Sequence, residues 1–360
     1  MQNKMKVAIL YGGKSVEHNV SLKSARNIYD NLDRERYDPV LIGIDQQGSW
    51  YFLPDYTPDI VSGQPLMIDL RQGKNIFYTC NDRKTLGTID IVFPVLHGND
   101  GEDGSIQGLL KTLNIPVVGT GVTGSAVAMD KLIAKKLLRD AGIPVSRFRH
   151  YTWEQKNEIN FKEVADDLGL PLIIKPVASG SSVGVSRIEN EEQFQAAIED
   201  TFQYDNELLF EEFIRGREME CSVMGNGHPV ASLPGEIFVA GHHALYSFDA
   251  KYVDDTGSRL EMPAKVAESL IPEIQDTVVR AYITLKCEDY SRVDFFLTPD
   301  EKIIINEINT IPGFTSISMF PQLWKLSGIS YKELVSRLIE EALKKHGRNE
   351  RLKRIFETKF

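Results

Sequence analysis

Two short segments in the C-terminal third carry the densest group of polar side chains that could do chemistry. In "RVDFF", Arg292 and Asp294 are two residues apart, and in "NEINTIPGFTS" so are Glu307 and Asn309. Side chains two residues apart share one face of a β-strand. On neighbouring strands these would place two carboxylates, an amide oxygen and a guanidinium on one face. Such hard oxygen ligands suit Mg²⁺ together with substrate phosphates, whereas an ordinary solvated Arg–Asp pair would not explain all four residues.

A second candidate site is the stretch "IIKPVASGSSVGVS", residues 173–186. A predicted strand delivers Lys175, and a turn rich in Gly and Ser follows. Glycines let backbone N–H groups approach phosphates, serine hydroxyls donate as well, and the lysine supplies positive charge. The lysine precedes the glycines, so this is not a Walker A loop, and a flexible hairpin is the alternative. Lys131 in "MDKLIAKK" is a further candidate cation or a solvated helix lysine.

A third candidate site lies where the predicted strands of the first third end. The stretch "GGKSVEHNVS", residues 12–21, follows the first strand, and "HGNDGEDG", residues 97–104, follows a later one. Ligands of open α/β sheets bind outside the carboxyl ends of the strands. Glu17 could therefore receive a cationic group there, with His97 facing the same cleft. Capping of the following helix is the alternative role for Glu17.

The segments that position these residues alternate between strand-like and helix-like patterns in the first third. Apolar runs such as "MKVAILYGG", "DPVLIGID", "TIDIVFPVLHG" and "IPVVG" are separated by the helical patterns "NVSLKSARNIYDNL" and "DGSIQGLLKTL". This alternation predicts parallel strands in βαβ units. Residues 49–84 have a mixed pattern and receive no assignment. A long helix is predicted from Ser125 to Ala141, closed by Gly142.

After this helix the pattern changes to short strands with tight turns, which is typical of antiparallel sheets. A helix is predicted among them at 191–202. The polar segment 239–258 has no periodicity, and a loop of that length in an enzyme is often a lid. A helix at 263–285, two strands and a helix at 331–345 follow. The prediction is α/β in the first third and α+β in the C-terminal two thirds.

Composition narrows the classes of function. The net charge of −10 argues against a nucleic-acid partner, since a nucleic-acid binder usually carries a basic stripe. The three cysteines form no C-x-x-C pair, so neither a zinc site nor a disulfide framework is indicated. No segment has the pattern of a signal peptide or a membrane span, and a cytoplasmic location is expected.

The motifs together resemble one family, the D-alanine–D-alanine ligases of the ATP-grasp superfamily. The matching blocks, in family order, are "GGKSVEHNVSLKSA", "LHGNDGEDGSIQG", "GTGVTGSAVAMDK", "KPVASGSSVGVS", "FEEFIRGRE", "FDAKYVDD", "RVDFF" and "NEINTIPGFTSIS". The resemblance implies an ATP-grasp fold with an N-terminal parallel-sheet α/β domain at 1–122. It also implies a central ATP-grasp subdomain at 123–214 and a C-terminal domain at 215–360 that carries the lid.

The resemblance implies roles for individual residues. Catalytic roles fall to Glu17, Ser181, Tyr252, Arg292 and Gly313, and substrate contacts to His97, Lys251, Ser318 and Met319. ATP contacts are expected from Lys131, Lys175, Glu211 and Glu218. Two Mg²⁺ or Mn²⁺ ions are expected to be bound by Asp294, Glu307 and Asn309. Glu17 would receive the ammonium of the first D-alanine and form a hydrogen-bonded group with Ser181 and Tyr252.

The implied reaction joins two D-alanines at the expense of ATP, through a D-alanyl phosphate, for peptidoglycan precursors. Tyr252 in "FDAKY" favours an amine nucleophile over D-lactate, although His242 and His243 precede it. D-serine remains an alternative second substrate. A catalytically inactive nucleotide-binding homologue is another, although such chains typically lose a metal ligand or the arginine. The partners implied are D-alanine and ATP, and dimers are common in the family.

The glycine spacing of "GTGVTG", residues 119–124, raises a different possibility, because it fits the dinucleotide fingerprint G-x-G-x-x-G. An NAD-dependent oxidoreductase requires the glycines in the first βα turn and an acid closing the second strand. Here the glycines follow a fourth predicted strand, and Asp140 falls at a helix end. An oxidoreductase would also leave the polar quartet unexplained. The motif therefore predicts a tight turn that leads into the helix carrying Lys131.

Overall fold

The computed structural model describes residues 4–70, 76–181, 183–239 and 258–353. Within these ranges the strands are β1 (Met5–Gly12), β2 (Tyr37–Ile44), β3 (Trp50–Leu53), β4 (Gln64–Ile68), β5 (Phe77–Thr79), β6 (Ile91–Val95), β7 (Phe148–Thr152), β8 (Leu172–Pro176), β9 (Ser186–Ile188), β10 (Glu207–Glu212), β11 (Arg217–Met224), β12 (Val230–Ala231), β13 (Gly235–Val239), β14 (Ser258–Glu261), β15 (Tyr290–Leu297) and β16 (Ile303–Asn309). The α-helices are α1 (His18–Asn31), α2 (Ser105–Thr112), α3 (Val122–Met129), α4 (Lys131–Asp140), α5 (Phe161–Leu168), α6 (Glu191–Thr201), α7 (Ile271–Thr284), α8 (Met319–Leu326) and α9 (Tyr331–Glu350).

The first sheet has the strand order β5-β4-β3-β2-β1-β6. β1 pairs in parallel with β2 and β6, as the βαβ pattern predicts. The unassigned residues 49–84 supply β3, β4 and β5, which pair antiparallel because the connections between successive strands are shorter than a parallel crossover requires. The predicted fourth strand, "IPVV", forms only a single parallel bridge between Val117 and Val92. The sheet is therefore mixed, with a parallel half that carries the strand ends near Glu17 and His97.

The long helix predicted at 125–141 is two helices, and that prediction was wrong. Asp130 has extended backbone angles, φ −81° and ψ 99°, and its side chain accepts a hydrogen bond from the Ile133 N–H at 2.8 Å. This is an N-cap, and it begins α4 at Lys131. The helix predicted at 263–285 likewise begins later, at Ile271, with Pro272 in its first turn. The last helix continues past the predicted residue 345 to Glu350.

The second sheet, β7-β10-β8-β9, is antiparallel throughout. Its apolar core includes Val164 from α5, Phe194 from α6 and Phe210 from β10, all nearly inaccessible to solvent. The two helices cover one face of the sheet. Lys175 and Glu211 belong to its central strands, β8 and β10, so their positions are fixed by buried β-structure rather than by a loop.

The third sheet follows the order β14-β13-β11-β15-β16, with β12 paired to β11, and it is also antiparallel. Ile274 and Val278 of α7 pack against Val293 and Phe295 of β15 in one core. Along β15, fully buried residues alternate with partly exposed ones, among them Arg292 and Asp294. One face of this sheet therefore stabilises the fold, and the other is available for a site.

The C-terminal helix α9 returns to the first sheet. Leu334 and Leu338 of α9 share a core with Ile9 and Phe93 of the parallel strands. Each predicted domain range contains one sheet, but the last 20 or so described residues pack with the first sheet rather than with the third. No helix in the described part of the chain combines the length and the hydropathy needed to cross a bilayer.

Candidate active site

The cleft between the second and third sheets is lined by a row of acidic side chains. Strand pairing sets Glu220 on β11 opposite Asp294 on β15, and Asp294 opposite Glu307 on β16. All three line one cavity of about 200 Å³. Because β15 and β16 are neighbours, Asn309 also lies opposite Arg292. The two segments "RVDFF" and "NEIN" therefore form one continuous polar surface.

Arg292 is held between two of these carboxylates. Its Nε and Nη2 donate to the two oxygens of Asp294, each at 2.7 Å, and Nε also lies 3.0 Å from Glu220 Oε2. The Asn309 amide nitrogen donates to Asp294 Oδ2 at 3.0 Å. This network assigns the nitrogen to that contact, so the amide oxygen of Asn309 is the atom that a cation could contact.

A β-bulge brings an additional side chain into the cleft. Pairing shifts between Asp294–Glu307 and Phe295–Ile305, which leaves Asn306 as the extra residue on β16. Consecutive residues normally point to opposite faces, but both Asn306 and Glu307 line the cavity here. Asn306 Oδ1 accepts a hydrogen bond from Lys175 Nζ at 3.2 Å. Through Asn306 the bulge thus links the polar surface of the third sheet to Lys175 of the second sheet.

Glu211 is a buried carboxylate with a lysine near each oxygen and a serine hydroxyl on one of them. Oε1 lies 2.9 Å from Lys175 Nζ, while Oε2 accepts from Ser146 Oγ at 2.8 Å and lies 3.2 Å from Lys135 Nζ. Burial alone would raise the pKa of Glu211, but the two lysines and these hydrogen bonds lower the pKa to about 2. Glu211 is therefore ionised at any physiological pH.

Lys131 connects the helix α4 to the Gly/Ser-rich loop. Its Nζ donates to the Ser179 carbonyl oxygen at 2.6 Å and lies 3.8 Å from Glu307 Oε2. Its backbone N–H donates to the Val177 carbonyl at 3.1 Å. The cavity is also lined by Glu218 of β11. All four residues predicted to contact ATP thus border one cavity together with the acidic row.

Ser181 combines a strained backbone with an unsatisfied hydroxyl. Its φ of +54° is rare for a residue other than glycine. Its Oγ is buried and has no hydrogen-bond partner among the described residues. Glu17 is 8% exposed, and its Oε2 would lie 3.5 Å from a Cβ placed on Gly180. The structure therefore brings Glu17 next to the loop of Ser181, while Lys251, Tyr252 and residues 240–257 of the predicted lid lie outside the described residues.

His97 lies inside the protein and joins two loops. It is 4% exposed, with Nδ1 2.8 Å from the Ile311 carbonyl and Nε2 3.2 Å from Ser24 Oγ. The carbonyl requires Nδ1 to carry the proton, and Nε2 then accepts from the serine. Burial lowers the pKa of His97, which keeps the ring neutral. Ser24 Oγ also accepts from the Phe314 N–H at 3.0 Å, so His97 positions the loop that contains Gly313.

Glu102 ties the same loop to the first sheet. Its Oε1 accepts from the Ile311 N–H and its Oε2 from the Gly98 N–H, both at 2.9 Å. Burial and the nearby carboxylate of Glu17 raise the pKa of Glu102 to about 8, although the two backbone donors lower it. Two side chains of "HGNDGED", His97 and Glu102, thus hold residues 311–314 in place.

The predicted pocket for the second substrate lies at the start of α8. Ser318 is the N-cap residue, and its Oγ accepts from the Thr315 N–H at 3.0 Å. A Cβ on Gly313 would come 2.8 Å from that Oγ, so the two predicted residues are adjacent. The side chain of Met319 is buried with Ile237 in a core cluster. The group that Met319 can offer to a ligand is therefore its backbone N–H.

Sequence reasoning missed several residues in this cleft or directly behind it, and most of them had a detectable signal. Glu220 follows Glu218 by two residues in "REMEC", which predicts the same strand face. Lys135 follows Lys131 by four residues, which predicts the same helix face. Asn306 had no such signal, because regular alternation would direct it away from Glu307. A bulge of this kind depends on the pairing of two strands and not on one segment.

The glycine motif at 119–124 does not present its backbone to a ligand. The Gly119 N–H donates to Asp289 Oδ2 at 2.8 Å, and the Gly121 N–H donates to Glu288 Oε2 at 3.2 Å. A Cβ on Gly124 would come 2.2 Å from the Lys286 carbonyl oxygen. The motif packs against residues 286–289, and carboxylates take the positions that a pyrophosphate would need. The structure thus excludes the dinucleotide interpretation of this stretch.

Two family models match this chain. A model described as "D-ala D-ala ligase N-terminus" matches residues 6–120, and one described as "D-ala D-ala ligase C-terminus" matches residues 137–340. A D-alanine–D-alanine ligase of Oceanobacillus iheyensis is 49% identical, with 97% of this chain and 98% of that protein covered. D-alanine–D-alanine ligase A of Escherichia coli is 45% identical, with 97% and 99% covered.

Solved structures of the same kind superpose on the whole fold. The D-alanine–D-alanine ligase of Coxiella burnetii has a TM-score of 0.85 at 36% identity, with 96% of both chains covered. VanG, a D-Ala:D-Ser ligase of Enterococcus faecalis, also has a TM-score of 0.85, at 34% identity, with 94% of this chain and 100% of that chain covered. These similarities confirm the predicted ATP-grasp fold.

Proposed function

This chain belongs to the D-alanine–D-alanine ligase family of ATP-dependent ligases, and we propose that it joins two molecules of D-alanine through a D-alanyl phosphate. The observation that supports this most directly is the polar surface of the third sheet. Glu220, Asp294 and Glu307 lie in register across three strands, with Arg292 between the first two. Buried lysines face this surface from the second sheet and α4. Such opposed charges suit a polyphosphate and cations held between two sheets.

The nucleotide is assigned to the cavity between the second and third sheets. Lys131 and Lys175 would neutralise phosphate charge, and both are less than a tenth exposed. Glu211 and Glu218 line the same cavity further along β10 and β11 and would serve the base and the ribose hydroxyls. Charges buried in a cleft act more strongly on a phosphate than they would in water. The family is ATP-dependent, which is consistent with this assignment.

Asp294, Glu307 and Asn309 would hold two Mg²⁺ or Mn²⁺ ions. Two carboxylates and an amide oxygen on neighbouring strands are hard ligands of the type these cations prefer. Within the described ranges no three His, Cys, Asp or Glu side chains are arranged to hold a metal. Phosphate oxygens would therefore have to complete the coordination. When bound, the cations supply charge neutralisation for the phosphates.

The first chemical step activates a carboxylate that is otherwise a poor electrophile. An oxygen of the first D-alanine attacks the γ-phosphorus of ATP, the bond to the β-phosphate oxygen breaks, and ADP leaves with the electron pair. Glu17 would hold the ammonium of that D-alanine beside Ser181, whose buried hydroxyl lacks a partner among the described residues. His97 would position the site from within the protein. Lys251 and Tyr252 keep their proposed roles on the lid, from sequence alone.

The second step forms the peptide bond. The amine of a second D-alanine attacks the acyl carbon and loses a proton, and phosphate leaves with the oxygen taken from the carboxylate. Arg292 and the backbone at Gly313 would stabilise the negative oxygen of the tetrahedral intermediate. Ser318 and the Met319 N–H would receive the carboxylate of the second substrate, because they begin α8, where the helix dipole favours an anion.

The proposed cellular location and the proposed use of the product both follow from this reaction. We place the reaction in the cytoplasm, where ATP is available, and assign the product to peptidoglycan precursors. The proposed domain ranges remain 1–122, 123–214 and 215–360, and a homodimer remains a proposal taken from the family. D-serine is a second candidate nucleophile, because the fold superposes equally well on the D-Ala:D-Ser ligase VanG.

A phosphate-release assay tests this function. Purified protein with Mg·ATP should release phosphate when D-alanine is added, and the product should have the mass of D-alanyl-D-alanine. Parallel reactions with D-alanine plus D-serine or D-lactate measure the choice of nucleophile, and we expect the dipeptide of D-alanine to dominate. A protein that binds ATP but releases no phosphate with any of these substrates would be an inactive homologue.

A further inference from the structure

Lys135 is a buried lysine to which the proposed reaction assigns no role. Its side chain is 1% exposed on the inner face of α4, one turn after Lys131. Nζ donates to Ser146 Oγ at 2.9 Å and lies 3.2 Å from Glu211 Oε2. Burying an ammonium group costs free energy unless it is paired. A lysine kept in such a position needs an explanation in terms of its partners.

Its main partner, Glu211, is shared with a lysine of the nucleotide cavity. Lys175 contacts one oxygen of Glu211 at 2.9 Å, and Lys135 lies near the other at 3.2 Å. A pair of Lys175 and Glu211 alone would sum to zero charge. With Lys135 the group of three carries a net charge of about +1. Lys135 does not line the cavity, whereas Lys175 and Glu211 do, so the cavity is exposed to the positive charge of Lys175.

We propose that Lys135 is a positioning residue for the nucleotide: it neutralises Glu211 from behind, which leaves the charge of Lys175 available to phosphate. Lys135 also fixes the orientation of the Glu211 carboxylate through Ser146, and so the direction in which that carboxylate meets the base. This inference rests on the proposed function in one respect, since it takes the cavity to be the ATP site. It extends that function by a residue outside the cavity.

The charges around Lys135 predict how this role depends on pH. Burial and the charge of Lys175 lower the pKa of Lys135 to about 8, although Glu211 of β10 and Glu307 of β16 raise it. Lys135 should therefore lose its proton as the pH rises above about 8, while Glu211 stays ionised. The charge available to phosphate would fall over the same pH range, and the KM for ATP would rise.

The test compares four proteins: wild type, Lys135→Met, Lys135→Arg and the control Lys136→Met. Methionine has a similar length without charge, and Lys136 is an exposed lysine next to Lys135 on the same helix. The KM for ATP, the KM for D-alanine and kcat are measured between pH 7 and 9.5, and binding of a fluorescent ATP analogue is measured directly. At pH 7, Lys135→Met should raise the KM for ATP and the Kd of the analogue about tenfold, the effect of one lost charge interaction of about 1.4 kcal/mol.

The KM for D-alanine should change little in Lys135→Met, and Lys136→Met should behave as wild type. The wild-type KM for ATP should rise above pH 8, whereas that of Lys135→Arg should not, because an arginine keeps its charge. A wild-type affinity for ATP in Lys135→Met, or an equal loss for ATP and D-alanine, would overturn the proposal. If Lys135→Met does not fold, a wild-type KM for ATP that stays flat to pH 9.5 would overturn it instead.

Failure of this inference can be told apart from failure of the proposed function. If wild-type protein releases no phosphate with D-alanine, the proposed function fails, but the binding measurements with the ATP analogue still test Lys135. If wild type is active and Lys135→Met binds the analogue normally, the function stands and Lys135 has only a structural role.

Discussion

Arg292 lies between Asp294 and Glu220, and this arrangement determines what can change when substrates bind. A guanidinium that donates to both oxygens of Asp294 is oriented by two parallel hydrogen bonds. A cation bound to Asp294 would weaken those hydrogen bonds. Glu220 Oε2, which lies 3.0 Å from Arg292 Nε, would still hold the guanidinium. Arg292 would then be able to point Nη atoms towards an oxyanion. Glu220, which the sequence analysis did not single out, is thus part of the support for that residue.

Replacing Arg292 by alanine should separate binding from turnover. Arg292→Ala removes a donor that we assign to the tetrahedral intermediate, so kcat should fall by about 100-fold or more. Binding of a fluorescent ATP analogue should change little, because the lysines that we assign to the phosphates remain. The control is Arg280→Ala, an exposed arginine on α7. Retained turnover in Arg292→Ala would rule out the oxyanion role.

Glu102 should give the protein an unusual pH dependence of stability. Its pKa is raised to about 8 by burial and by Glu17, so between about pH 4.5 and 8 the native state holds a proton that the unfolded chain has released. The contribution of Glu102 to the free energy of unfolding therefore falls as the pH rises through that range. The decrease is up to about 1.4 kcal/mol per pH unit.

Urea unfolding of wild type and Glu102→Gln between pH 5.5 and 8.5 measures this effect. The variant is expected to be less stable at pH 6, since an amide oxygen cannot accept both backbone N–H groups, but to depend less on pH. Parallel stability curves for the two proteins would contradict the assignment of this proton to Glu102.

At the level of secondary-structure elements, α4 is the helix that borders the cavity to which we assign the nucleotide. It presents Lys131 and Lys135 four residues apart on its inner face, and its first turn begins at the N-cap Asp130. Its backbone also contacts the residue that directly follows β8, the strand of Lys175, because the Lys131 N–H donates to the Val177 carbonyl. The position of this helix should therefore influence ATP more than D-alanine.

Removing the N-cap of α4 tests this expectation. Asp130→Ala should cost about 1 kcal/mol of stability and should also raise the KM for ATP several-fold. Asn160→Ala is the matched control, because Asn160 caps α5 in the same way, through the Glu163 N–H at 3.2 Å. That variant should lose similar stability without a change in the KM for ATP. Equal effects of the two substitutions on ATP would show that α4 has no special role.

Features of the fold and of the site could be predicted from the sequence when they depend on residues within one segment. The parallel strands β1, β2 and β6 and the helices α1, α2 and α6 follow from periodicity within one segment. The division between α3 and α4 could have been predicted from Asp130, a residue that favours N-caps. The antiparallel pairing of β3, β4 and β5 and the bulge at Asn306 could not, because they depend on contacts between segments.

In the molecule as a whole, one buried ion pair joins three distant parts of the chain. Lys345 of α9 donates to the Gly119 carbonyl oxygen and to Asp289 Oδ2, the latter at 2.7 Å. Asp289 precedes β15 and also accepts from Asn226 Nδ2 at 2.7 Å and from the Gly119 N–H at 2.8 Å. The glycine motif, the third sheet and the C-terminal helix therefore meet at one carboxylate. At this junction Gly119 has a positive φ of +109°, and a Cβ placed on it would lie 3.4 Å from the ring of Tyr290.

Breaking this contact should destabilise the whole protein. Lys345→Met would leave Asp289 as an uncompensated buried charge, at a cost of about 3–5 kcal/mol. Lys344→Met, the exposed neighbour that pairs with Glu341, should have little effect because surface ion pairs contribute little. Urea unfolding of the two variants measures the difference. A loss of less than about 1 kcal/mol for Lys345→Met would contradict the role that we give to this pair.

The central claim is that the chain activates D-alanine as an acyl phosphate, and oxygen transfer tests it most directly. D-alanine labelled with ¹⁸O in both carboxylate oxygens is supplied with unlabelled Mg·ATP, and the phosphate and dipeptide are analysed by mass. The predicted result is one ¹⁸O in each phosphate released and one in the new peptide carbonyl, with ADP as the nucleotide product. Unlabelled phosphate, or AMP carrying the label, would contradict the account.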